Sequence, residues 1–293
     1  MKTEFPDHSK DHKEHIKYLS RLILKTGKDK IAFIILFGSF ARGDWVYDRY
    51  LEDGITYEYA SDYDFLVVTR YKGAARQAHF DLQSRLYKIL DPYKRHYTKH
   101  RPQLVLESIG HVNKYLREGH YFFSDIKKEA ILLYDSGKFT LNEAAILTRE
   151  ERSSIATEHY NMWYKKAIIF LDKFYFLFDQ KKEYIASAFD LHQATENLLY
   201  CALLVLTDYK PKTHDLAELL SLCSSQNNIF LSIFPTATEE ECNKFELLRA
   251  AYIDARYNKD YVITPEQLNY LIESVEALSE IVKKVCEDKI ENS

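Results

Sequence analysis

A chain of 293 residues exceeds what one hydrophobic core usually serves, so two domains are the natural expectation. Its formal charge of −4 argues against a generally basic nucleic-acid-binding surface, and 14% aromatic residues with only 8 Gly and 6 Pro describe a compact, helix-rich globule. Four cysteines, Cys201, Cys223, Cys242 and Cys286, lack Cys-x-x-Cys spacing, and no run resembles a signal peptide or is apolar for long enough to cross a bilayer. Free thiols in a reducing cytoplasm, with no membrane partner, are therefore expected.

Residues 8–26 read as a charged helix. His8, His12 and His15 share one helical face at metal-like spacing, which a loose, charged N-terminus explains without a metal. The apolar run Ile31-Ala32-Phe33-Ile34-Ile35-Leu36-Phe37 then reads as a buried strand that stops at Gly38-Ser39, before a short helix over 40–43. A glycine-serine turn after such a strand lets backbone N–H groups approach a phosphate, because glycine has no Cβ and successive amides form an anion nest. Ser61-Asp62-Tyr63-Asp64 opens a second apolar strand, Phe65-Leu66-Val67-Val68, ending near Thr69. Carboxylates at i and i+2 point to the same face of a strand. Two charges there are costly to bury without a partner, and a hard divalent cation is the partner such a pair collects.

Helical spacing over 76–90 is expected to end at Pro92. The basic segment Lys94-Arg95-His96-Tyr97 with Lys99-His100-Arg101 follows, read as a solvated loop or a contact for triphosphate, RNA or an acidic acceptor. A third strand is predicted over 104–107, helices over 109–119 and 121–129, and a short strand over 130–134. Beyond about residue 147 the strands vanish. A long helix over 151–181 carries Trp163, Phe170, Phe174 and Phe178 as a core-facing stripe, and helices over 183–206 and 213–224 follow. Thr238-Glu239-Glu240-Glu241 has the form of a capping box opening a helix to about 256, and Thr264-Pro265-Glu266 places Pro at the first position of the last. The pattern predicts an α+β domain over 1–146 and an antiparallel helical bundle over 147–293.

Leu36-Phe37-Gly38-Ser39-Phe40-Ala41-Arg42-Gly43-Asp44, continued by Ser61-Asp62-Tyr63-Asp64-Phe65-Leu66-Val67, resembles the signature of the polymerase-β-like nucleotidyltransferase superfamily, in particular its minimal branch. The gap between Gly-Ser and the first Asp is longer than usual in that family; most of the excess lies between Asp44 and Asp53, an insertion placed to lid the site or touch an acceptor. The resemblance implies a mixed sheet and a third carboxylate on a later strand, for which Glu107 in Gln103-Leu104-Val105-Leu106-Glu107-Ser108 is the candidate. It also implies Asp62, Asp64 and Glu107 as catalytic ligands of Mg²⁺ or Mn²⁺. Gly38 and Ser39 would then hold the β,γ-phosphates of ATP or another nucleoside triphosphate, with Arg42 neutralising phosphate charge.

Ala188-Phe189-Asp190-Leu191-His192-Gln193-Ala194-Thr195-Glu196, Lys212-Thr213-His214-Asp215-Leu216 and Ala255-Arg256-Tyr257-Asn258-Lys259-Asp260-Tyr261 together resemble the HEPN domain, a helical bundle often fused or paired with minimal nucleotidyltransferases. Many such domains are metal-independent ribonucleases built on Arg, four residues, then His. Here Arg256 is followed at that spacing by Tyr261, a poor acid or base at pH 7, so ribonuclease action by that route is not expected. Arg256 remains a candidate for a nucleotide phosphate or a dimer interface, and His192 and His214 are expected to be packed and hydrogen-bonded. The two resemblances together imply transfer of a nucleoside monophosphate, AMP from ATP, to a hydroxyl of a protein or small molecule, in a cytoplasmic homodimer paired through the bundle, as in antitoxins that modify a HEPN toxin. The alternatives are a non-catalytic nucleotide-binding or dimerisation module and a divergent HEPN ribonuclease; a nucleic-acid partner is compatible but not favoured.

Overall fold

The computed structural model describes residues 1–52, 55–71, 76–95, 100–235 and 238–292, except for the side chains at 48–52, 55–59, 76–77 and 94–95. Within these, the chain separates into two compact units: residues 1–47 with 60–147, and residues 48–59 with 148–293. No helix is long and apolar enough to cross a membrane.

The first unit is built on β1 (Ile31–Phe37), β4 (Tyr63–Thr69), β5 (Pro102–Ser108) and β6 (Ile131–Asp135), in the order β5-β4-β1-β6. Strands β2 (Tyr47–Glu52) and β3 (Ile55–Ala60), which apart from Tyr47 and Ala60 fall in the second unit, form a separate two-stranded sheet. Strand β1 pairs antiparallel with β4 and β6, whereas β4 pairs parallel with β5, so the sheet is mixed. The central strands are buried on both faces, which is why they read as continuous apolar runs rather than alternating ones. Ile34, Leu36, Tyr63, Phe65, Val67, Leu104 and Leu106 form a core with Ile16, Leu19 and Ile23 of α1 (Lys13–Gly27) and Leu82, Leu86 and Leu90 of α3 (Arg76–Arg95). The side chains of alternate register, Phe37, Asp64, Leu66, Gln103 and Glu107 among them, therefore share the opposite face. There α4 (Ile109–Glu118) packs on β4 and β5, and Phe122 of α5 (Tyr121–Glu129) meets the Phe37 ring edge-on at 5.5 Å.

Two expectations are corrected in this unit. Helix α3 runs through Pro92 to Arg95. A proline so near a helix end removes one ladder bond after the buried stripe Leu82, Leu86, Leu90 has already docked the helix. The N-terminal segment is also not loose: a 3₁₀ turn, Asp7–His12, leads into α1, and Ser9 is buried with its hydroxyl donating to the Phe40 carbonyl at 2.8 Å.

In the second unit, α6 (Arg149–Tyr175) and α7 (Tyr184–Thr207) pack along each other and against α11 (Pro265–Asn292). Helix α6 opens with a capping box, Thr148 with Glu151, and closes in a π-helical turn, Phe176–Lys181, rather than running straight to 181. The Ser153 hydroxyl bonds near the end of α11 at the Ile290 carbonyl, and the Tyr164 hydroxyl meets Ser279 at 3.0 Å, which makes the two helices antiparallel. Helix α7 is buried on nearly every side, with Asp190, His192, Glu196 and Asn197 among its enclosed side chains, and forms the axis of the bundle. The predicted aromatic stripe on α6 is corrected: only Phe174 is fully buried, and Ala156, Ala167 and Leu171 complete the inward face. Trp163 instead lies under Lys166, its ammonium 4.0 Å from the ring centre.

Helix α8 (Leu216–Gln226) is followed by α9 (Glu239–Ala250), whose expected capping box forms between Thr238 and Glu241. This helix does not continue to 256. The Ile253 N–H turns to the Ala250 carbonyl, one residue short of the α-helical ladder, and a separate turn, α10 (Asp254–Tyr257), follows.

Candidate nucleotide and cation site

Strand β1 delivers the chain to Gly38, whose φ of +71° and ψ of −158° lie in a region essentially reserved for glycine. The Gly38 carbonyl accepts from the N–H groups of Ala41 and Arg42, both at 3.1 Å, closing the turn into α2 (Ser39–Arg42). Phe37 pairs with Asp64 across the antiparallel ladder, which sets the Asp64 carboxyl against the Gly38 backbone. A Cβ at residue 38 would lie 2.3 Å from Asp64 Oδ2.

Asp64 is 1% exposed, and neither carboxyl oxygen has a hydrogen-bond partner. Burial raises its pKa well above the ordinary carboxylate value; the neighbouring Asp62 adds to the rise and Arg42 opposes it. Asp62 lies just before β4, is partly exposed, and accepts from the Arg101 N–H at 3.3 Å. Arg42 pairs with Asp44 at 3.0 Å, and Ser39 is buried. Gly38, Ser39, Arg42, Asp62 and Asp64 therefore belong to one locality. Two carboxylates, one already orphaned in the interior, are a donor set that fits a hard divalent cation.

Glu107 does not join them. Parallel pairing sets Asp64 opposite Gln103 and Val68 opposite Glu107, so Glu107 is displaced four residues along the strand. At roughly 3.3 Å per residue that is about 13 Å. It is instead a buried acceptor for the Nδ1–H of His111 in α4, at 2.5 Å. Among the described residues no three His, Cys, Asp or Glu side chains gather as a metal-holding group, so the set Asp62, Asp64 and Glu107 is not assembled. Sequence reasoning chose Glu107 as the acidic residue of the strand; the register that decides the matter places Gln103 there, 6% exposed and with its Nε2 lacking any partner.

Both loops of the locality are braced by one aromatic cluster. Phe40 stacks on Trp45 at 5.1 Å and lies 4.5 Å from Tyr63, the residue between the two aspartates. His12 and His100 pack edge-on to Phe40, at 5.1 and 5.0 Å. His100 Nδ1–H donates to the Ser61 carbonyl at 2.7 Å, and His12 Nδ1 bonds the Tyr63 hydroxyl at 2.7 Å. Burial lowers the pKa of His12, consistent with a packing role. The basic segment 94–101 lies largely outside the described residues: Lys94 and Arg95 end α3, and of the segment's side chains those of His100 and Arg101 are described. The 44–60 insertion begins and ends at a pinned neck, where Ser61 N–H donates to the Val46 carbonyl and Ser61 Oγ accepts from the Val46 N–H.

In the second unit, Arg256 is exposed, donates from Nε to the Tyr252 carbonyl at 2.7 Å, and lies over the rings of Phe189, Tyr252 and Tyr257 at 4.7 to 5.1 Å. Tyr261 is buried, and its hydroxyl donates to the Leu247 carbonyl at 2.9 Å, with burial raising its pKa. His192 is fully buried, its Nδ1–H donating to the Leu248 carbonyl at 2.9 Å, and burial pushes its pKa down to about 4. His214 stacks on Tyr252 at 4.5 Å and donates to the buried Glu196 at 2.5 Å. That Glu196–His214 pair, and the two-pronged Arg249–Asp215 pair at 2.8 and 3.2 Å, were not anticipated as pairs, because each joins a helix residue to the segment that leads into α8, away from it in the sequence.

No match to the chain emerges among curated proteins. The helical unit does have a recognised family: residues 160–285, spanning α7, α8, α9, α10 and most of α6 and α11, carry a HEPN domain.

Proposed function

We propose that the first unit binds a nucleoside triphosphate together with Mg²⁺ or Mn²⁺ and transfers the nucleoside monophosphate, AMP from ATP, to a hydroxyl of a protein or small molecule, the hydroxyl oxygen bonding to the α-phosphorus as it loses its proton and pyrophosphate leaving. The observation that carries this reading is the Asp64 carboxyl, enclosed without a partner against the Gly38 turn and beside Asp62. Asp62 and Asp64 would hold the cation, which when bound supplies charge to offset the triphosphate. The Gly38-Ser39 backbone would cradle the phosphates, and Arg42 would add a fixed positive charge beside them. The HEPN domain would pair two copies of the chain.

The test is incubation of the purified chain with α-³²P-labelled ATP, GTP, CTP and UTP in Mg²⁺ or Mn²⁺, alone and with cell lysate, beside the Asp62→Asn/Asp64→Asn variant. Label transferred by the wild type alone supports the reading and identifies the donor. A second reading, a nucleotide-binding module without transfer, is favoured by the distance of Glu107 from the two aspartates. It predicts nucleotide binding that depends on Asp62 and Asp64 with no label transferred to any acceptor. A ribonuclease reading is the weakest, since Tyr261 is spent on the Leu247 carbonyl.

A further inference from the structure

Three buried polar atoms without partners lie on two adjacent strand positions: Oδ1 and Oδ2 of Asp64, and Nε2 of Gln103. Asp64 and Gln103 are direct partners in the parallel ladder, so their side chains leave the sheet on the same face, side by side. Buried polar groups are nearly always satisfied, and a carboxylate and an amide orphaned together mark the place of an absent group that both would contact. The oxygen and nitrogen of a glutamine amide exchange by a half-turn of the side chain, so Gln103 can offer a neutral carbonyl oxygen as readily as its NH₂.

We propose that Gln103 limits this site to a single divalent cation, an inference that rests on the nucleotide-binding reading above. Two cations in one site sit about 3.5–4 Å apart and repel strongly unless anionic ligands lie on and between them. Asp62 and Asp64 bring two negative charges, enough to offset one divalent ion, and Arg42 already acts on Asp64 as a positive charge. The next position that faces the carboxyl of Asp64 is an uncharged amide, and the strand's own carboxylate, Glu107, is turned to His111. Gln103 thus completes the coordination of the nucleotide-bound ion, by its oxygen directly or by its NH₂ to a bound water, and supplies nothing to retain a second. The acceptor hydroxyl accordingly receives no ion of its own to lower its pKa.

Electron paramagnetic resonance of the full chain with Mn²⁺ and α,β-methylene ATP tests this, because one isolated Mn²⁺ and a coupled pair give different spectra. The wild type is expected to bind one uncoupled Mn²⁺ per chain. Gln103→Asp, with Gln103→Glu as a second variant and thermal melts to check folding, is expected to bind two coupled ions. A coupled pair in the wild type overturns the proposal and leaves the nucleotide-binding reading standing. Binding of Mn²⁺ and analogue that is absent in the wild type, or unchanged in Asp62→Asn/Asp64→Asn, overturns both.

Discussion

Gly38 and Asp64 touch across the β1/β4 ladder so closely that residue 38 has no room for a side chain: its Cβ would meet Asp64 Oδ2 at 2.3 Å. The backbone there also has a positive φ that disfavours any other residue. Gly38→Ala is therefore expected to destabilise the first unit by about 1–3 kcal/mol from backbone strain, with the contact adding to it. In the Gly38→Ala/Asp64→Ala double variant the contact is removed while the strain stays, so the two changes should be non-additive by more than 0.5 kcal/mol in urea unfolding. Strict additivity would mean that the carboxyl is not held against the turn.

Asp64→Asn should stabilise the cation-free protein. The pKa of Asp64 is raised by burial, so between pH 3.8 and its folded value the folded state keeps a proton that the unfolded state has lost. Stability attributable to this group falls as pH rises through that window and stays reduced above it. Removing the ionisable group should recover on the order of 1–3 kcal/mol at neutral pH, a few degrees in melting temperature. Mn²⁺ should raise the melting temperature of the wild type and not of the variant, and its binding should release protons, detectable in weakly buffered calorimetry.

Glu107→Ala should cost roughly 1–3 kcal/mol of stability, since it strips the acceptor from His111. Its Mn²⁺ affinity in the presence of nucleotide analogue should stay within twofold of wild type. A tenfold loss would return Glu107 to the cation site.

Much of the arrangement was legible in residue order. The apolar runs of β1 and β4, the Thr238 capping box and Pro265 at the start of α11 are local signals, and each marks its element. Asp62 and Asp64 were legible as a pair for the same reason. What order alone did not carry was pairing between distant segments. Nothing within β5 distinguishes Gln103 from Glu107 as the neighbour of Asp64; the register with β4 decides it. Likewise, aromatic spacing on α6 predicts a continuous buried stripe, but Phe174 alone of it is fully buried, while Trp163 is half-buried between Tyr200 of α7 and the Lys166 ammonium.

His192 is expected to make the HEPN domain acid-sensitive. Burial depresses its pKa from near 6.5 to about 4, so below pH 6.5 the unfolded state takes up a proton that the folded state refuses. Stability contributed by neutral His192 is complete above 6.5 and is lost as pH falls toward 4, up to roughly 3 kcal/mol. His192→Gln retains a donor for the Leu248 carbonyl and should flatten urea midpoints over that range. An unchanged slope would assign the acid sensitivity to other groups.

The cluster of Phe40, Trp45, Tyr63, His12 and His100 holds the Gly-Ser turn and the aspartate loop through the same side chains. Backbone segments that share such a wedge open to solvent together rather than one at a time. The amides of the Asp7–His12 turn, of α2 and of residues 61–64 should therefore exchange with deuterium at a common rate, although the first and last of these are far apart in the chain. Trimming Trp45 to alanine would speed exchange in all three at once, leaving the Gly38-Ser39 turn and the Asp62 and Asp64 carboxyls each chemically intact but no longer held to one another.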